Sequence, residues 1–126
     1  MAEFSKLHVW RKAHALALNV RRVATGIRGS GNAALRNQMI RASMSIPANI
    51  VEGRGQVSDR DFCRFLRYAV QSSSELEYHI VIGRDIRVIT LNDAKSLLDQ
   101  VMEVRRMLYG LIKSLSKTAA PSIPSE

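Results

Sequence analysis

The sequence predicts an all-α protein, an antiparallel up-down-up-down four-helix bundle with a Pro-kinked second helix. Three observations carry that prediction. Apolar residues recur at helical spacing in four separate stretches. The first two breaks between them are short and hold most of the glycines. No run alternates with the period of a strand, and Ile86–Ile89 is too short to count as one. Four amphipathic helices on short links bury their stripes most simply against one another. At 126 residues and 46% hydrophobic content, the chain is one domain that can bury a core without staples, so wholesale disorder is not expected. The bundle is expected over 1–117 and a flexible C-terminal tail over 118–126, where two prolines fall among small residues.

The first helix spans about Leu7 to Ala24, with Val9, Trp10, Ala13, Leu16, Ala17, Val20 and Ala24 on its stripe. Gly26, Gly29, Ser30 and Gly31 end it and predict a flexible link. Without a preceding strand or a closing Gly-Lys-Ser/Thr, these glycines make a poor phosphate cradle. The second helix starts at a favourable N-cap, Asn32, and stops at Gly53 and Gly55. Leu35, Met39, Ala42, Ile46 and Ile50 form one apolar row, and Ile40, Met44, Pro47 and Val51 form a second beside it. A helix apolar over that much of its girth needs cover on more than one side. Pro47 removes one backbone hydrogen bond and presses on the Ser43 carbonyl, which predicts the kink. Ser43, Ser45 or Asn49 can supply local partners there.

Ser58 opens the third helix, with Asp61 three residues on and Asp59 at the positive end of the dipole. Its inward residues are Phe62, Phe65, Leu66, Ala69, Ser73, Leu76, Ile80 and Gly83; its outer ones are Arg60, Arg64, Arg67, Gln71 and Tyr78. Thr90 caps the fourth helix, with Asp93 at the matching position. That helix buries Ala94, Leu97, Leu98, Val101, Val104, Leu108, Leu111, Ile112 and Leu115.

A formal charge of +8 favours an acidic partner, nucleic acid first and an anionic membrane surface second; the alternative is a protein that is merely basic. Cys63 is the lone cysteine, so no internal disulfide forms and a reduced cytoplasmic setting fits. Met1–Lys6 lacks the apolar core of a signal peptide, and no apolar run is long enough to span a membrane.

Four segments then stand out: Leu7-His8-Val9-Trp10-Arg11-Lys12-Ala13, Ser45-Ile46-Pro47-Ala48-Asn49-Ile50-Val51-Glu52-Gly53, Ser58-Asp59-Arg60-Asp61-Phe62-Cys63-Arg64-Phe65-Leu66, and Ser74-Glu75-Leu76-Glu77. In this order they resemble the family of small four-helix-bundle proteins encoded in intervening sequences of bacterial 23S ribosomal RNA genes. The Ile-Pro-x-Asn-Ile-x-Glu-Gly run is the specific part. That family is similar in turn to the accessory variability determinant proteins of diversity-generating retroelements. Those form five-membered rings, bind nucleic acid through a basic surface and engage a reverse transcriptase. The resemblance therefore implies a ring-shaped homo-oligomer, a pentamer first, with an RNA or DNA partner. Ser72-Ser73-Ser74 departs from the more apolar local sequence of the family and predicts looser packing in the third helix.

For nucleic acid the leading candidates are Arg60, Arg64 and Arg67, with Arg21, Arg22, Arg36, Arg41 and Arg54 behind them. Arginine binds phosphate bidentately, and Tyr68 and Tyr78 can stack on bases or serve as packing residues. The plain alternative is a solvated basic face. For self-association the candidates are Gln38, Arg41, Ser45, Pro47, Asn49 and Glu52, a largely polar row on an apolar helix; Glu52 can instead pair within its own bundle. Glu75 and Glu77 carry the same two readings. No catalytic, cofactor or metal site is expected. Glu75 and His79 lack the spacing of di-iron bundles, the three histidines are scattered, and Cys63 sits beside core phenylalanines as a structural thiol. The expected function is nucleic-acid binding by a non-enzyme, as an accessory to a nucleic-acid enzyme. The alternative is a protein-interaction module whose charge serves solubility.

Overall fold

The computed structural model describes residues 7–119. It contains α1 (His8–Thr25), α2 (Ala33–Arg54), α3 (Asp59–Asp85) and α4 (Leu91–Ala119), with a 3-10 turn at Ser30–Asn32 before α2. Among the described residues there is no strand. The fourth helix continues to Ala119, past the expected boundary at 117, and the expected tail from 120 on lies outside the described residues.

Residues that meet across the bundle fix its order. Gly53 abuts Phe62 and Phe65, Ser45 bonds Ser72, and Arg41 pairs with Glu75, so numbers fall along α2 as they rise along α3. The same reversal relates α3 to α4, where Cys63 meets Ile112 and Ser73 meets Arg105. It relates α1 to α4 through Lys12–Glu103 and Asn19–Gln100. One apolar core runs through all four helices, with Leu16, Met39, Ile46, Ile50, Leu66 and Leu108 among its fully buried members.

Both expected caps of α3 and α4 are present. The Ser58 hydroxyl accepts from the Asp61 amide at 3.1 Å, and the Thr90 hydroxyl accepts from the Asp93 amide at 3.0 Å. Asn32 departs from expectation: it holds the N-cap position of α2, yet its side-chain amide donates backward to the Arg28 carbonyl at 2.8 Å. The glycine-rich link is ordered around Ile27, which is buried and whose carbonyl accepts from Arg36 Nη1 at 2.8 Å.

Gly53 is not a stop signal. It lies inside α2, and a Cβ there would come within 2.8 Å of Phe65 Cβ and 2.9 Å of Phe62 Cδ1. Its bare backbone lets α2 and α3 approach closely. Helix α2 continues through Pro47, which is buried. The Asn49 side-chain amide donates to the Ser45 carbonyl and hydroxyl, and the Ser43 hydroxyl donates to the Ile40 carbonyl.

The turn from α3 to α4 holds the one non-glycine residue with positive φ among the described residues, Arg87 at 65°. The Arg87 amide donates to the Arg84 carbonyl and the Val88 amide to the Gly83 carbonyl. This is a Schellman end with arginine in the left-handed position that glycine usually takes. Ile89 folds back onto Gly83, where any Cβ would collide with it.

Candidate nucleic-acid interface

A helix advances 100° per residue, so Arg60, Arg67, Gln71 and Tyr78 lie close to one line along α3. All four side chains are exposed. Arg60, Arg64, Arg67, Tyr68 and Gln71 line one shallow depression, whose single carboxylate among the described residues is Asp61. The structure thus brings the three leading arginines together.

Arg64 is the most constrained of them. Its guanidinium donates to the Tyr68 hydroxyl at 3.3 Å, lies 3.5 Å from Asp61 Oδ1, and sits 4.7 Å from the centre of the Phe65 ring. The Tyr68 hydroxyl and then the Asp61 carboxylate push its pKa up from an already high value. Arg60 and Arg67 make no ion pair among the described residues, which leaves their donors open to an incoming anion.

The remaining candidates scatter. Arg36 is spent on the Ile27 carbonyl and Arg41 on Gln38 and Glu75. Arg22 is exposed in the last turn of α1 and Arg54 in the last turn of α2, while Arg21 lines a groove on the α1–α2 side. Helix α4 adds cations that the sequence did not single out as a site. From Val104 to Ala119 it carries Arg105, Arg106, Lys113 and Lys117 and no acidic residue. Arg106, Lys113 and Lys117 are exposed on α4, and Lys113 and Lys117 lie level with the arginine end of α3 along the bundle, because Cys63 of α3 faces Ile112 and Ser116 of α4.

The polar row of α2 lies against α3 of the same chain. Ser45 bonds Ser72 at 2.8 Å and Arg41 approaches Glu75 at 3.4 Å. Glu52 is exposed and forms no ion pair among the described residues, so it does not pair with the first helix. Apolar surface remains uncovered elsewhere, between α1 and α2. There Leu18 and Met44 are 57% and 56% exposed and line a groove with His14, Ala17, Arg21 and Pro47. The second apolar row of α2 is therefore covered at Pro47 and open at Met44.

Ser72-Ser73-Ser74 does not loosen α3 as expected. Ser72 ties it to α2, and Ser73, fully buried, ties it to α4 by accepting from Arg105 Nε at 3.0 Å. Among the described residues no group of three or more His, Cys, Asp or Glu is placed to hold a metal ion. No described helix is long and apolar enough to cross a membrane.

A family model described as 23S rRNA-intervening sequence protein matches residues 5–110. Among curated proteins none matches the chain. The fold is similar to a crystal structure from Bacteroides thetaiotaomicron of a protein of unknown function in the S23 ribosomal protein family. The TM-score is 0.78 at 24% identity, over 83% of this chain and 98% of that one.

Proposed function

The chain belongs to the 23S rRNA-intervening sequence protein family, and from that premise we propose that it is a non-enzymatic, cytoplasmic module that binds RNA or DNA through its α3–α4 face. The observation that carries this reading is the gathering of Arg60, Arg64 and Arg67 in one exposed depression; Arg106, Lys113 and Lys117 add exposed positive charge on the neighbouring helix. Such a face offers phosphate contacts without a groove-reading element, so its binding is sequence-independent and strongly salt-dependent. The module acts as a ring-like homo-oligomer, with a pentamer favoured by the family resemblance, and serves as an accessory to a nucleic-acid enzyme. The uncovered Leu18–Met44 groove supports self-association, since an unpartnered apolar surface favours a protein neighbour.

The same groove also favours the second reading, a protein-interaction module whose charge serves solubility alone. A gel-shift titration with RNA and DNA at several salt concentrations separates the two. Retarded species that dissolve as salt rises support the first; no shift at low salt leaves the second.

A further inference from the structure

Resting on the nucleic-acid reading above, we propose that the ligand of the α3–α4 face is single-stranded and that Tyr78 and Tyr109 stack on its bases. The chain has three tyrosines, and all of them stand exposed on α3 or α4: Tyr68 at 39%, Tyr78 at 63% and Tyr109 at 55%. The other described Phe and Trp rings are covered at least in part, with Phe62 buried and Trp10 and Phe65 half-buried. Single exposed rings need no explanation, but these are interleaved with cations. Tyr78 continues the line of Arg60 and Arg67, and Tyr109 stands one turn from both Arg106 and Lys113 on the face of α4.

The Arg105 clasp fixes how the two rings are disposed. Arg105 bonds Ser73 and Glu77 of α3. Tyr109 lies one turn beyond Arg105 along α4, and Tyr78 follows Glu77 in the opposite direction along α3. With Arg105 level with the midpoint of Ser73 and Glu77, the rings are offset by about 10 Å along the bundle, too far to stack on each other and spaced to take separate bases. Tyr68 is engaged differently. Its hydroxyl accepts from Arg64 and its ring stands edge-on to Phe65 with centroids 5.5 Å apart, so it positions that arginine.

A second observation points to the same face. Gly110 sits in the interior of α4, exposed, with nothing within 4 Å of where its Cβ would be. Glycine at an exposed helix-interior position weakens the helix, and no packing among the described residues repays that. It leaves a gap in the side-chain surface of α4 between Arg106 and Lys113, one turn from each, open to an incoming base. In a duplex the base faces are already stacked on one another, so exposed tyrosines have nothing to engage. In a single strand every base offers a face, and a platform of rings among arginines binds it with little regard to sequence.

The test is fluorescence anisotropy on the full chain at low salt, with labelled 20-nucleotide oligo(U) and oligo(dT) against 20-base-pair RNA and DNA duplexes. Single strands are expected to bind at least about tenfold more tightly than duplexes. Tyr78→Ala with Tyr109→Ala should cost about tenfold on single strands and leave duplex binding unchanged. Tyr78→Phe with Tyr109→Phe should retain affinity, and the Leu pair, which keeps bulk without a π face, should lose it as the Ala pair does. Circular dichroism verifies that each variant is folded. Equal or tighter duplex binding overturns the single-strand assignment while leaving the nucleic-acid reading intact, and so does an unchanged affinity in the Ala and Leu pairs. No binding to any of the four probes removes both.

Discussion

Arg105 of α4 and Ser73 of α3 are joined twice, Nε to the Ser73 hydroxyl at 3.0 Å and Nη2 to the Ser73 carbonyl at 3.3 Å. The same Nη2 meets Glu77 Oε1 at 2.6 Å, and the arginine side chain is 19% exposed. A charged group held this far from water needs its partners, because an unpaired one retains the desolvation cost. Arg105→Ala removes all three bonds and leaves Glu77 without its counter-charge, so it should lower stability by about 2–3 kcal/mol; Ser73→Ala should cost about 1 kcal/mol, since Glu77 still balances the arginine. Urea unfolding of the two single variants and the double variant measures the coupling directly.

Two glycines should answer oppositely to alanine. At Gly53 the new methyl group runs into Phe62 and Phe65, so Gly53→Ala should destabilise by about 1–3 kcal/mol and shift the urea midpoint down. At Gly110 the methyl meets nothing, so Gly110→Ala should stabilise by about 1 kcal/mol. Affinity for oligo(U) should fall in the stabilised Gly110→Ala protein, as the single-strand assignment requires.

Arg87 keeps a backbone shape that arginine adopts at a cost. Arg87→Gly relieves that strain and gives back part of the gain as unfolded-chain entropy, for a net increase of about 0.5–1 kcal/mol. Thermal unfolding read at matched pH and salt checks the sign.

Much of the fold was legible because its signals are local. Ser58 and Thr90 announce helix starts through the residue three positions on, and the stripes of α1 and α4 follow from spacing alone. What escaped depends on which side chains face one another across the bundle. Ile27 is a single apolar residue in a polar link and Ile89 ends a run too short to show a period, yet both are buried. A glycine near a helix end reads equally as a stop or as a close contact, and Gly53 turned out to be the contact. Three consecutive serines read as weak packing until Ser72 and Ser73 are seen to point at two different neighbours. For the candidate site, the arginine line of α3 was visible as periodicity. The contribution of α4 was not, because it requires knowing that the Cys63 turn lies beside Ile112.

Self-association should run through the open groove rather than the polar row. Leu18→Asp with Met44→Asp alters exposed side chains, so the protomer should stay folded. Light scattering after gel filtration should give an assembly for the parent chain and a single-chain mass for the variant. A single-chain mass for both would remove the oligomer from the account.

The central claim is that the arginines of α3 bind phosphate. Its most direct measurement is the dependence of log affinity on log salt for the parent chain and for Arg60→Ala/Arg64→Ala/Arg67→Ala, using one RNA of mixed sequence. The account predicts weaker binding for the variant and a slope shallower by about two to three, since each lost phosphate contact removes about 0.7–0.9 from it. Parallel lines of equal height would contradict it.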